Sequence, residues 1–175
     1  MPNMITHYAS VVKAESSLAI QLDNGIVLIP QEIPNSTIND GSRVIVNYTP
    51  LEDNTIKING IQEIYLDSIK ETSQSFEQLK KDPVKFIRAS ATGSYLTLSF
   101  QAEFHSHPHT QTLYIDTKAS QPILYFSYSR ETDPLGAYTQ TYSSYKLEGL
   151  EKENNYLILH IHTDKGNREI EVRIR

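Results

Sequence analysis

The chain lacks cysteine and tryptophan altogether, and its 175 residues include no long apolar run. The missing cysteine excludes disulfides, thiol nucleophiles, iron–sulfur clusters and cysteine-ligated zinc, so that only His, Asp or Glu could hold a metal. Apolar runs such as Ile26–Ile29 fall far short of the roughly 18 to 20 residues that span a bilayer. We therefore expect no transmembrane helix.

Basic residues are also scarce. The chain has 16 Lys and Arg against 21 Asp and Glu, a formal net charge of −5, and no cluster of basic residues. Residues 1–70 contain four basic and eight acidic side chains, a net charge of −4. Because proteins bind nucleic acids largely through Lys and Arg contacts to phosphate, we expect no nucleic-acid partner.

The chain is rich in β-forming residues. Ile, Val, Thr, Tyr and Phe occur in short runs separated by Asp, Asn, Gly and Pro, which is typical of an all-β protein. The clearest local signal is Asn24-Gly25, which suits a two-residue hairpin turn. Such a turn would place Leu22 opposite Val27 and Ile20 opposite Ile29, with the four side chains on one apolar face.

Domain organisation follows from the spacing of the strand patterns. Five predicted strands, with a bulge or bend at Gly60, are what a small closed barrel of the OB type needs, and we assign this barrel to residues 1–70. Residues 71–82 lose the strand pattern, which predicts a linker or a short helix. Strand patterns then resume, and residues 83–175 are predicted to form a β-sandwich.

The C-terminal segment predicts a second hairpin. With Asp164–Asn167 as a four-residue loop, Leu159 faces Val172 on an aliphatic side that belongs in the core. The other side then pairs His160 with Glu171. The same register pairs His162 with Glu169, so both histidines are interpreted as surface residues rather than ligands.

One cluster has the spacing of metal ligands, namely His105, His107 and His109. In an extended segment the three imidazoles would point to one side, where an i, i+2 pair can bind zinc. The alternative is a solvated loop, which Pro108 favours because it cannot donate to a strand ladder. A metal-binding protein or metal-dependent enzyme that uses these three ligands is therefore the second functional hypothesis.

No catalytic motif accompanies this cluster. The chain contains no Gly-x-Ser-x-Gly, no Gly-x-Gly-x-x-Gly and no phosphate-binding Gly-x-x-x-x-Gly-Lys. Five of its eleven tyrosines fall in one stretch, at positions 125, 128, 138, 142 and 145. Exposed tyrosines could stack on sugars or contact a protein, but tyrosine is also an ordinary half-buried strand residue, which is the interpretation we prefer.

Several segments together resemble the NigD-like proteins of Gram-negative cell envelopes. They are Gly41–Tyr48, Ile56–Ile61, Asp82–Ile87, Gly93–Phe100 and Tyr145–Leu150. Their order and spacing are similar to those of the family from about residue 5 to the C-terminus. The resemblance implies an N-terminal OB-type barrel followed by a C-terminal β-sandwich.

The resemblance also implies an exported lipoprotein without established activity. The family's signal peptide and lipidated cysteine do not occur in this sequence. Our first hypothesis is therefore a non-enzymatic envelope protein without a cofactor, which presents two β-domains to a protein or glycan partner. We expect it in the periplasm or anchored to the outer membrane, with membrane contact only through a lipid anchor that this chain does not contain.

Overall fold

A computed structural model describes residues 3–34, 37–150 and 155–175. The chain divides into two compact units, residues 1–66 and 67–175, and both are built of β-strands. The prediction of an all-β protein is confirmed. No helix among the described residues is long and apolar enough to cross a membrane.

The first unit is a closed five-stranded barrel with the strand order β1-β2-β3-β5-β4. Its strands are β1 (Ile5–Ala14), β2 (Ser17–Leu22), β3 (Val27–Pro30), β4 (Arg43–Pro50) and β5 (Thr55–Glu63). Alternating side chains such as Val44, Val46 and Tyr48 are buried and form one face of its core. The period-2 pattern of the sequence thus places every second residue inside the barrel.

The hairpin at Asn24-Gly25 differs from the predicted register by one residue. Ile20 pairs with Leu28 rather than with Ile29, and the Leu22 N–H donates to Ile26 O at 2.8 Å. The loop therefore has three residues, and Gly25 adopts a φ of 93°, as a turn followed by a left-handed residue requires. A one-residue slip exchanges the two faces of a strand, so the prediction that Val27 and Ile29 face the core is wrong.

The predicted bulge at Gly60 is confirmed. Gly60 pairs with Asn47 whereas Ile58 pairs with Tyr48, so that Asn59 is an extra residue in β5. The bulge lets one strand turn around the barrel without losing its pairing with β4.

The second unit contains two packed sheets. The five-stranded sheet has the order β14-β13-β11-β10-β7, and the four-stranded sheet has the order β6-β12-β9-β8. The strands are β6 (Tyr65–Ser68), β7 (Lys70–Thr72), β8 (Lys85–Thr92), β9 (Tyr95–Phe104), β10 (Thr110–Asp116), β11 (Ile123–Ser129), β12 (Ala137–Lys146), β13 (Tyr156–Thr163) and β14 (Gly166–Arg173). Inward-facing residues, among them Leu98, Phe100, Phe126 and Leu159, form one buried core.

The segment 71–82 belongs to the second unit and does not lie between two domains. Its 3-10 helix, Phe76–Gln78, places the buried Phe76 ring against Tyr125, with ring centroids 5.6 Å apart. Further along, the Asp82 N–H donates to Tyr128 O at 2.8 Å. The segment therefore crosses the outer face of the five-stranded sheet, which explains why it has few apolar residues of its own.

The C-terminal hairpin differs from the predicted register by two residues. Leu159 pairs with Ile170 and His160 with Glu169, because the turn has only two residues between Thr163 and Gly166. A shift of two preserves the faces of a strand, so Leu159 is fully buried as predicted. The predicted pairing of His160 with Glu171 is wrong, and His162 pairs with Asn167 rather than with Glu169.

Candidate functional site

The predicted histidine cluster is held by an aspartate from a distant part of the sequence. Asp133 lies in the connection between β11 and β12, and its side chain is fully buried. This connection approaches the end of β9 closely, since a Cβ built on Gly136 would lie 2.1 Å from Phe104 O. Only glycine fits there without displacing backbone.

The Asp133 carboxylate accepts hydrogen bonds from three consecutive backbone N–H groups. His105 donates to Oδ2 at 2.9 Å, and Ser106 and His107 both donate to Oδ1 at 2.8 Å. Three amides that converge on one carboxylate fix the loop backbone in a single conformation. The Nδ1 atoms of His105 and His107 contact the hydroxyl of Ser106, at 2.8 and 3.0 Å respectively, and His107 Nδ1 also lies 3.4 Å from Asp133 Oδ1.

His109 completes the network. Its Nε2 lies 2.7 Å from Asp133 Oδ2, and its Nδ1 is hydrogen-bonded to the hydroxyl of Tyr128. Because an ionised carboxylate can only accept, Nε2 carries a proton and donates to Asp133. Both imidazole nitrogens of His109 are thus used within the chain.

The charges of the network follow from its surroundings. Burial opposes ionisation of Asp133, but hydrogen bonds from His105, His109 and two further backbone amides outweigh it and hold the pKa of its carboxyl well below the usual range. Burial, together with the negative charges of Asp82 and Asp133, raises the pKa of Tyr128 to about 12. The aspartate is therefore ionised and the tyrosine neutral at physiological pH.

This arrangement is suited to rigidity. Tyr128 is 4% exposed, and the side chain of His109 is 9% exposed, so neither presents a reactive atom to solvent. Within the described ranges, no group of three or more His, Asp or Glu side chains is placed to hold a metal ion. The three predicted ligands share a loop, in which His105 and His107 both contact the Ser106 hydroxyl, whereas the two ring nitrogens of His109 contact Asp133 and Tyr128.

Sequence reasoning missed Asp133, the residue that organises the loop. Asp133-Pro134 signals only a turn, since an aspartate before proline favours turn initiation. Its partners are more than 20 residues away along the chain. Neither periodicity nor a local motif reports such a contact.

A second distinctive surface lies on the barrel. Val27, Ile29 and Leu51 are 38%, 44% and 44% exposed, and we call these three residues the aliphatic surface. Ile29 pairs with Thr55 in register, and the Leu51 N–H donates to Thr55 O at 2.8 Å. The exposed side chains of β3 and the end of β4 therefore flank the same residue of β5.

An acidic turn borders the aliphatic surface. Asp53 and Asn54 both have positive φ, 54° and 58°, in the three-residue turn between the paired residues Leu51 and Thr55. The Ile29 N–H donates to Asn54 O at 2.8 Å and ties this turn to β3. A shallow cavity of about 710 Å³ is lined here by Leu51, Glu52, Asp53 and neighbouring residues. Within the described part of the chain, the carboxylates of Glu52 and Asp53 have no ion-pair partner.

The tyrosine-rich stretch divides between core and surface. Tyr125, Tyr128 and Tyr145 are at most 8% exposed and serve the sandwich core and its immediate surroundings, whereas Tyr138 is 42% exposed. The Lys85 ammonium lies 3.9 Å from the centroid of the Tyr138 ring. Burial in and around the sandwich core therefore accounts for three of the five tyrosines, as the interpretation of tyrosine as a half-buried strand residue predicts.

Comparison with protein families covers nearly the whole chain. Residues 8–64 match the model of the NigD-like N-terminal OB domain, and residues 67–174 match that of the NigD-like C-terminal β-sandwich domain. No curated protein matches the sequence.

Solved structures share the fold over almost their full lengths. A protein of unknown function from Bacteroides vulgatus has 18% identity and a TM-score of 0.84, with 99% of this chain and 92% of that one covered. A candidate lipoprotein from Bacteroides fragilis has 13% identity and a TM-score of 0.76, with 99% of both chains covered. A NigD-like immunity protein from Bacteroides caccae has 17% identity and a TM-score of 0.69, with 98% of this chain and 92% of that one covered.

Proposed function

Because the chain belongs to the NigD-like family, in which an OB domain precedes a β-sandwich, we propose that it is a non-catalytic binding protein whose barrel docks a protein partner. The observation that carries this proposal is the aliphatic surface beside the acidic turn. Barrels of the OB type bind ligands along one face and its flanking loops, and both features belong to such a region.

Exposed aliphatic side chains favour a protein partner. Scattered apolar residues are normal on a protein surface, but here Val27 and Ile29 lie two positions apart on one strand and Leu51 lies across Thr55 from Ile29. Burial of neighbouring apolar side chains is the main favourable term in protein association. The tight turn at Asp53 and Asn54 keeps the edge of this surface rigid, which lowers the entropic cost of binding.

The negative charge of the first unit indicates which charge the partner carries. Residues 1–66 hold three basic and seven acidic side chains, a net charge of −4, whereas the whole chain has −5. Arg43, one of the three basic residues, is buried against Asp23 and contributes no positive charge to the surface. The complementary partner presents aliphatic side chains flanked by Lys or Arg.

A neighbour's description supports a protein partner as well. One structurally similar protein is described as an immunity protein, a role that implies contact with another protein. Another is described as a candidate lipoprotein, which supports an exported, membrane-anchored location for this chain. Recovery of the native protein in the cytosolic fraction of its cells would contradict that location.

The test uses random peptides displayed on phage and selected against the purified protein. We expect the enriched peptides to combine Leu or Ile with Lys or Arg, and their affinity to fall as salt is raised. An Ile29→Ser, Leu51→Ser variant should bind them at least tenfold more weakly. Ile87→Ser removes an equally exposed side chain, 53% accessible, from the sandwich and serves as the matched control.

The proposal fails if selection enriches no peptides. It also fails if the enriched peptides are acidic, or if Ile87→Ser weakens binding as much as the barrel variant does. Unchanged thermal unfolding of both variants would exclude misfolding as the cause of any loss.

A further inference from the structure

A cavity of about 520 Å³ opens on the outer face of the five-stranded sheet of the second unit. It lies between the 3-10 helix and the β13–β14 hairpin. It is lined by Phe76, Glu77, Tyr125, His160, Asn167, Arg168 and Glu169. Nothing in the family description or in the barrel proposal concerns this cavity.

Three rings form its floor. Phe76 stacks on Tyr125 with centroids 5.6 Å apart, and the His160 ring meets both, at 5.9 Å from Phe76 and 5.3 Å from Tyr125. The Tyr125 hydroxyl donates to Asp116 at 2.6 Å and is already used. The floor is therefore an aromatic surface whose rings hold one another in place.

Two carboxylates stand at the rim. The side chains of Glu77 and Glu169 are 71% and 72% exposed. Glu169 Oε1 lies 3.7 Å from His160 Nε2, which is too far for a hydrogen bond. The neighbouring Arg168 forms no salt bridge with Glu169. Its guanidinium lies over the Phe86 ring instead, 5.5 Å from the ring centroid. The carboxylate of Glu169 thus has no Lys or Arg partner among the described residues.

One cation of the protein itself, the Lys81 ammonium, already contacts this aromatic surface. The Lys81 ammonium lies 5.8 Å from the centroid of Phe76 and 3.2 Å from Glu77 Oε2. Glu77 also accepts from Asn167 Nδ2 at 3.2 Å, which fixes its position. A ring beside a carboxylate is a favourable environment for an organic cation. The Phe76 ring and Glu77, which hold Lys81, are one such place, and the His160 ring beside the Glu169 carboxylate is a second.

We propose that the second place, between Glu169 and the rings of His160 and Tyr125, binds the guanidinium or alkylammonium group of a ligand. Lys81 pairs with Glu77, whereas Glu169 has no Lys or Arg within salt-bridge distance in the described part of the chain. The cation would donate to this carboxylate while its apolar stem rests on the rings. The site belongs to the second unit, and it stands or falls independently of the barrel surface.

The test is a titration of the full chain followed by NMR chemical shifts, with N-acetylarginine methylamide as the probe. Its neutral isostere, N-acetylcitrulline methylamide, is the ligand control. We expect saturable shifts at His160 and Glu169 with the arginine derivative only. A second titration with methylguanidinium distinguishes a free small cation from an arginine side chain of a partner. If methylguanidinium binds as tightly as the arginine derivative, the ligand is a small free cation. If the arginine derivative binds more tightly, the ligand is an arginine side chain.

Matched protein variants locate the effect. Glu169→Gln should raise the dissociation constant about tenfold, because a charge-assisted hydrogen bond is lost. Glu171→Gln, an exposed carboxylate two residues further along the same strand face, should leave it unchanged. Equal binding of the citrulline derivative, the absence of saturation, or an equal effect of the two variants would overturn the proposal.

Discussion

The barrel and the sandwich each hold a loop through an aspartate, Asp23 at 14% exposure and Asp133 fully buried, but they balance its charge in different ways. In the barrel, Asp23 accepts two hydrogen bonds from the Arg43 guanidinium, at 2.6 and 2.7 Å, and the arginine side chain is fully buried. In the sandwich, Asp133 is held by three backbone amides and His109. One unit therefore uses a guanidinium, and the other uses backbone N–H groups together with an imidazole.

This difference determines which groups lose their hydrogen-bond partner when each aspartate is replaced. Loss of Asp23 removes a carboxylate and two charge-assisted hydrogen bonds from the buried guanidinium of Arg43. Loss of Asp133 leaves N–H groups in a surface loop, where water can reach them after a small movement. We therefore expect global destabilisation in the first case and local loosening in the second.

The largest expected effect comes from Asp23→Ala. Breaking a buried ion pair by removing one partner costs about 3 to 5 kcal/mol, and in this pair the Arg43 side chain is fully buried whereas Asp23 is 14% exposed. Chemical denaturation of the purified variant measures this loss. Asp40→Ala, which removes an exposed carboxylate of the same unit, should change the free energy of unfolding by less than about 0.5 kcal/mol. Similar losses in the two variants would show that the Arg43 pair does not stabilise the barrel.

A second pair of variants tests whether the sandwich depends on its aliphatic core instead. Leu159 is fully buried, and Leu159→Ala should cost about 2 to 5 kcal/mol. His160 is the next residue on the opposite face, where it contacts Phe76 and Tyr125, and His160→Ala should cost about 1 kcal/mol. Equal shifts of the denaturation midpoint would mean that the outer aromatic face is as important as the core.

The smallest effect, and the most local, is expected for Asp133→Asn. The pKa of Asp133 is lowered in the folded protein, so its stabilising effect is present above the ordinary aspartate pKa of about 3.9 and is lost as the pH falls through the folded value. Between pH 4 and pH 7 the wild-type amides of His105, Ser106 and His107 should therefore keep constant protection from hydrogen exchange. In the variant these amides should exchange faster at every pH.

Glu131→Gln is the control for that experiment. Glu131 lies two residues from Asp133 and binds Lys80 and Thr110 at the surface. Its loss should leave protection of the His105–His107 amides unchanged. Faster exchange in this control would show that the loop is sensitive to any nearby charge rather than to the carboxylate that its amides contact.

Local patterns predicted much of the architecture. Alternation along residues such as Leu96, Leu98 and Phe100 identified the buried face of β9, and the isolated Gly60 identified a bulge. The family resemblance added the order of barrel and sandwich. The strand and the bulge depend on the alternation of apolar and polar residues and on the residue types at turns. Both signals are contained in a few consecutive residues of the sequence.

Register was harder to predict, and its errors had unequal consequences. At Asn24-Gly25 the slip of one residue turned Ile29 outward and produced the aliphatic surface. At the C-terminal hairpin the slip of two left Leu159 inside. Turn length sets register, and a glycine in a turn is compatible with more than one turn length.

The sequence by itself determined the all-β class, the alternation that selects core residues and the acidic character of the first unit. Only the tertiary structure decided that Asp133 would hold the histidine loop, that Arg43 would meet Asp23, and that the Glu169 carboxylate would face an aromatic floor. Each of these contacts joins strands or loops that are distant along the chain. Their partners are selected by packing and by the need to satisfy buried polar groups, and no local spacing encodes that selection.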